Sequence, residues 1–192
     1  SPTLAYDLDR DVRVLSAMAS NLTPYLYEDE MYGYLSGGLP KLTLGGLLLR
    51  LYRLRRLEGL LDSEQETQVQ DAAINFEAAR SEWSVHYETK LAAELRSRVD
   101  ALDRFLAECG EPSPSCAAEY PVQAEKRAMI EHLVDALAEQ GDGPEELATR
   151  LKQVDNRLRR VLSEDGFVFD ERLMDVYPRE KFWWLYRRVG GR

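Results

Sequence analysis

The chain predicts an all-α fold: a single-domain helical bundle of about six to eight helices, organised around one long helix over roughly residues 63–109. Three observations carry this reading. Residues 60–109 run for fifty positions without Gly or Pro, between Gly59 and Gly110. Apolar side chains recur in steps of three and four through most of the chain, the spacing of one helix face. The one strand-like run, Gly166-Phe167-Val168-Phe169, is too short for a sheet of its own. At 192 residues one core is the simplest organisation, so residues 1–192 are read as a single domain.

Val12, Leu15 and Met18 set a first helix over residues 9–20. Thr23-Pro24 starts a second, because Pro at the first helical position has no N–H to lose. Glu28, Asp29 and Glu30 suit the positive end of its dipole, and it runs to Gly37-Gly38. Thr43 caps a third helix that ends near Gly59. There Leu44, Leu47, Leu48, Leu49, Leu51, Tyr52, Leu54 and Leu57 point nearly all round, the pattern of a buried central helix. Gly45 and Gly46 weaken its start, which implies a frayed first turn or a close neighbour.

The long helix opens with Ser63 and Glu66 at capping-box spacing. At 1.5 Å per residue it is about 70 Å long, so it must protrude, bend or break, with Arg80-Ser81-Glu82 its weakest point. Its stripe, from Val69 through Phe76, Trp83, Tyr87, Leu91, Leu95 and Val99 to Leu106, drifts too far for a sustained coiled coil. It suits packing against changing neighbours.

Cys109 to Pro121 reads as a loop, with Gly110, Pro112 and Pro114 in it. Residues 122–164 form a helical hairpin: Met129, Ile130, Leu133 and Leu137 line the first arm and Leu147, Leu151, Val154 and Leu158 the second. Residues 165–192 are a C-terminal aromatic segment packed on the bundle. It begins with the extended Gly166–Phe169 connector. A short helix over 171–176, capped by Asp170, follows, and a last helix covers 179–189.

The net charge of −9 is uneven. Residues 1–39 carry −4, 40–61 carry +4, 62–178 carry −13 and 179–192 carry +4. An acidic body repels phosphate backbones at long range, which argues against nucleic acid as a partner. No apolar run approaches the roughly eighteen residues that span a bilayer, so an integral membrane protein is not expected. Asp7, Asp9 and Asp11 stand where a secretory signal would be basic and then apolar, and a cytoplasmic protein is the expectation.

Catalytic patterns are missing. A carboxylate-bridged metal site in a bundle needs Glu-x-x-His pairs, but Trp83 and Met129 stand three residues before His86 and His132. Glu82 and His86 are read as a surface pair. Cys109 and Cys116 could bridge across a short loop, but two free thiols are the default of a cytoplasmic protein, and Glu108 and Glu111 work against a reactive thiolate. No nucleophile elbow or phosphate-cradling glycine loop occurs. No catalytic residue, metal or cofactor is therefore expected, and His132 and Asp155 are the polar groups whose burial matters.

Two basic, apolar stretches remain, with the composition of protein interfaces. They supply the candidate contact residues Arg50, Arg53, Arg56, Phe182, Trp183, Trp184, Arg187 and Arg188, where Arg can stack on aromatic rings. The plainer reading is that Phe182, Trp183 and Trp184 close the core while Arg187 and Arg188 favour a helix C-terminus. The expected function is a non-catalytic adaptor or scaffold with an unidentified protein partner, a homo-oligomer, or both. The alternatives are an enzyme whose site is dispersed over several helices and a peripheral membrane-surface binder using the basic apolar segments.

Overall fold

The computed structural model describes residues 2–141 and 143–190. The fold is all-α, with seven α-helices and a two-stranded sheet among the described residues. The helices are α1 (Leu8–Ser20), α2 (Leu22–Tyr27), α3 (Leu44–Arg56), α4 (Ser63–Glu82), α5 (Ser84–Cys109), α6 (Pro114–Gln140) and α7 (Glu145–Val161); the strands are β1 (Leu162–Asp165) and β2 (Arg187–Val189). The chain divides into two compact units, one of residues 7–94 and 132–141, the other of residues 2–6, 95–131 and 143–190.

In the first unit, Asp7 caps α1 by accepting from Arg10 N at 3.0 Å, and Val12, Leu15 and Met18 are buried as their spacing requires. α4 packs on α1 with Val69, Ala72, Ala73, Phe76 and Ala79, whose mostly small side chains allow a close approach. Its cap lies one residue earlier than expected. Asp62 accepts from Gln65 N, and the Gln65 side chain reaches back to Asp62 N, a capping box built by those two residues rather than by Ser63 and Glu66.

The expected long helix is interrupted at Trp83, whose backbone leaves helical geometry (φ −114°, ψ 43°), one residue beyond the predicted weak point. The Trp83 ring packs edge-on against Tyr27 and His86, so a tertiary aromatic cluster coincides with the break.

α2 is also shorter than expected. It stops at Tyr27, and Glu28, Asp29 and Glu30 follow its C-terminal end instead of starting a longer helix. Tertiary pairing outweighs helix propensity over 28–42. Gly33 and Leu42 exchange two backbone hydrogen bonds, and the Tyr25 hydroxyl donates to Met31 O at 2.6 Å. A side chain at Gly33 would sit 3.0 Å from Leu42 Cβ and 3.1 Å from the Tyr25 ring, so anything larger than glycine would push this crossing apart by a few tenths of an ångström.

α3 is buried as its all-round apolar pattern requires, and Thr43 caps it through Gly46 N at 2.9 Å. Its first turn is not frayed. The Glu94 side chain, only 2% exposed as a residue, accepts from Leu44 N and Gly45 N, both at 2.8 Å. A carboxylate on the free N–H groups of a helix start is favoured by hydrogen bonding and by the dipole together.

In the second unit, α5 and α7 are joined by ion pairs. Arg96 reaches Glu146 at 3.0 Å, Arg150 reaches Asp100 and Asp103, and Arg157 reaches Asp103. The expected loop at 109–121 is mostly helix. Ser113 Oγ accepts from Cys116 N at 3.2 Å and Pro114 takes the first helical position, where its missing N–H costs nothing. Pro121 sits inside α6 at a cost of about 3 kcal/mol, offset by the burial of its neighbours Tyr120 and Ala124. Cys109 and Cys116 form a disulfide with Cα atoms 5.8 Å apart, which corrects the expectation of two free thiols.

The aromatic segment departs furthest from expectation. Asp170 caps a single 3-10 turn over Glu171–Leu173, not a helix to Val176. Trp183–Tyr186 is another 3-10 turn, and the predicted helix over 179–189 ends as β2, antiparallel to β1. Phe182, Trp184, Leu185, Tyr186 and Val189 are all buried. A surface helix buries one stripe, so a helix could not turn 182, 184, 185 and 186 inward together.

Candidate functional site

A cleft of about 480 Å³ opens in the second unit, where the end of α7, β1, the turn at Arg179-Glu180, the Trp183–Tyr186 turn and β2 converge. Arg159 comes from the last turn of α7 and lays its guanidinium 4.1 Å from the centroid of the Trp183 ring. Arg179 lies 4.8 Å from the Tyr186 ring. Arg187, the first residue of β2, donates to Leu162 O at 2.9 Å and lies 3.7 Å from Asp165. Glu180 completes the polar wall. Three guanidinium groups thus face one cleft, two of them resting on aromatic faces, in a chain of net charge −9.

Tyr186 is held rather than reactive. Its hydroxyl donates toward the carbonyls of Tyr177 and Met174, and burial raises its phenol pKa above the ordinary value, so it stays neutral at physiological pH. Arg159 also reaches Asn156 Oδ1 at 3.4 Å, the long end of a hydrogen bond.

Of the eight residues expected at an interface, Trp183 and Arg187 line this cleft. Phe182 and Trp184 are core, both with no exposed surface. Trp184 donates from Nε1 to Ala124 O at 3.0 Å, and Tyr120 donates to Trp184 O at 2.6 Å. Arg188 anchors the N-terminal residues, donating to Pro2 O, to Thr3 Oγ1 at 3.0 Å and to Phe167 O at 2.6 Å. The α3 arginines belong to the first unit. Arg50 pairs with Asp11 at 3.1 Å, Arg53 is buried beside the same carboxylate, and Arg56 stacks 3.5 Å from the Tyr52 ring.

Arg159, Arg179 and Tyr186 join Trp183 in lining the cleft. Arg179 lies in the basic C-terminal stretch, a signal that could have found it. Arg159 looks like any cation in a last helical turn.

His132 and Asp155 are both buried, and neither lines the Arg159–Trp183–Arg187 cleft or the cleft at Lys90. His132 packs 4.6 Å from the Tyr52 ring, while Asp155 is clamped by Arg127. His86 stacks on Tyr27. Among the described residues, no three His, Cys, Asp or Glu side chains stand together at metal-binding distance, and no helix is long and apolar enough to cross a membrane.

A second cleft, about 290 Å³ in the first unit, is walled by Glu28, Asp29 and Glu30. Lys90 lies in it, 3.9 Å over the Tyr25 ring and donating to Glu30 O. Burial lowers the Lys90 pKa, against the pull of the surrounding acids. The chain's own ammonium therefore already occupies the ring and a backbone carbonyl, with the acids around it.

The chain matches no protein-family model, and no curated protein or solved structure matches it either.

Proposed function

We propose that the protein is a non-catalytic interaction module that docks a partner protein at the Arg159–Trp183–Arg187 cleft. The observation that carries this reading is the set of three guanidinium groups turned toward one open cleft beside two aromatic rings. Arg and aromatic side chains are the residues that most often anchor protein interfaces. Arginines stacked on rings are held in place before binding, so less conformational entropy is lost when a partner arrives.

The Cys109–Cys116 bridge supports an oxidising compartment over the cytoplasmic placement expected from the sequence, because thiols are kept reduced in the cytosol.

The test is a photo-crosslinking amino acid placed at Trp183 and, as a control, at Ile74, which is exposed on α4. A discrete adduct in native extract from position 183, missing from position 74 and lost on Arg179→Glu, is the expected result. No adduct at 183, or the same adducts from both positions, would remove the cleft as the docking surface.

A further inference from the structure

We infer that the cleft recognises a single carboxylate on an acidic peptide segment of the partner, with an apolar side chain of that segment against Trp183 and Tyr186. This rests on the docking reading above and adds the chemistry of the ligand. Three arginines and two carboxylates, Asp165 and Glu180, line the cleft, which leaves it one positive charge. One carboxylate balances that charge, whereas a phosphate near −2 would overfill it and face two acids. Stacking uses the flat face of Arg159 and Arg179 and leaves in-plane N–H donors for a planar carboxylate.

Asp165 is the second clue. Its side chain is 85% exposed and lies 3.7 Å from Arg187 Nε, an ion pair too long for a hydrogen bond. An exposed pair of this kind contributes little and leaves Arg187 with donors to spare, so an incoming carboxylate can reach Arg187 while Asp165 stays at the rim.

The test titrates the full chain with N-acetyl-Phe-Glu-Phe-amide, following the indole N–H resonance of Trp183 by NMR. The Gln counterpart of the peptide is expected to bind roughly tenfold more weakly, and Arg159→Ala and Arg179→Ala each to weaken the Glu peptide about fivefold, the scale of a charge-assisted contact. Asp165→Asn is expected to tighten it about two- to threefold by removing an internal competitor; a merely structural role for Asp165 would not do this.

Equal binding of the Gln peptide overturns the proposal. So does tighter binding of phenyl phosphate, which would make the site a phosphate site. A Trp183 shift that depends on protein concentration without any peptide also overturns it, because the occupant is then a second copy of the chain. If the Trp183 crosslink succeeds while the preference for Glu fails, docking stands and this inference falls. If the crosslink fails, docking falls, and the peptide series alone decides the chemistry of the cleft.

Discussion

Arg127 donates to both oxygens of Asp155, through Nε at 2.9 Å and Nη2 at 2.8 Å, while the face of the same guanidinium lies 4.1 Å from the Trp184 ring. Its third donor, Nη1, reaches Glu131 at 2.9 Å. Burial works against the charge, but the two carboxylates more than compensate, so the Arg127 pKa is held above its ordinary value. Removing Asp155 leaves the buried Arg127 with Glu131 alone, reached through a single nitrogen. Asp155→Ala is expected to cost about 3–5 kcal/mol in urea unfolding. A double replacement, Arg127→Met with Asp155→Leu, should recover most of that loss. Equal losses in the single and double variants would show that the pair does not act as a unit.

The two adjacent tryptophans should behave oppositely. Trp184 is core, and Trp184→Ala is expected to cost about 3–5 kcal/mol. Trp183 lies at the cleft under Arg159, and Trp183→Ala should cost no more than about 1.5 kcal/mol. Thermal unfolding of the two variants side by side decides it. A Trp183 variant as unstable as the Trp184 one would place both rings in the core and remove the aromatic floor of the cleft.

Glu94 supplies a cap from fifty positions away in sequence. Glu94→Ala strands two buried N–H groups, an expected loss of about 2–4 kcal/mol. Hydrogen exchange at Leu44 and Gly45 should accelerate well beyond the change in the rest of α3. Uniform acceleration across the helix would mean that the cap is not local.

Burial pushes the Tyr87 phenol above its ordinary value near 10, and Tyr120 is raised by the same cause. The unfolded chain loses these protons first. Their contribution is therefore complete below about pH 10 and is lost as pH rises above it. Tyr87→Phe should flatten the alkaline decline in stability while leaving the value near pH 7 nearly unchanged. Denaturant midpoints measured from pH 7 to 11 test this, and an unaltered slope above pH 10 would count against it.

The Cys109–Cys116 bridge closes a short ring, for which chain entropy gives about 2–3 kcal/mol. Reduction with thiol should lower the unfolding midpoint accordingly, and both cysteines should resist alkylation until reduced. Rapid alkylation without reductant would contradict the bridge.

Periodicity located the helices because an amphipathic stripe is a local property. Val12-Leu15-Met18 and Leu147-Leu151-Val154-Leu158 lie buried where their spacing puts them. Illegible parts depended on distant partners. α2 ends early because Gly33 pairs with Leu42, β2 exists because β1 lies alongside it, and the α3 start is held by Glu94. Pro121 misled because the price of a mid-helix proline is visible locally while the burial of Tyr120 and Ala124 is not. The cleft was half legible. Trp183 and Arg187 stand in a basic aromatic stretch, but Arg159 joins them only through the fold.

Leu4 bridges to Phe169, and Arg188 holds the backbone of Pro2. On a ribosome adding about 5–20 residues per second, residues 2–4 emerge many seconds before those partners exist. The unit they belong to is stitched from segments that synthesis separates in time, whereas most of the other unit lies in residues 7–94 and can assemble earlier. Translation pauses or truncations late in the message should therefore strand an unfinished second unit beside a nearly complete first one.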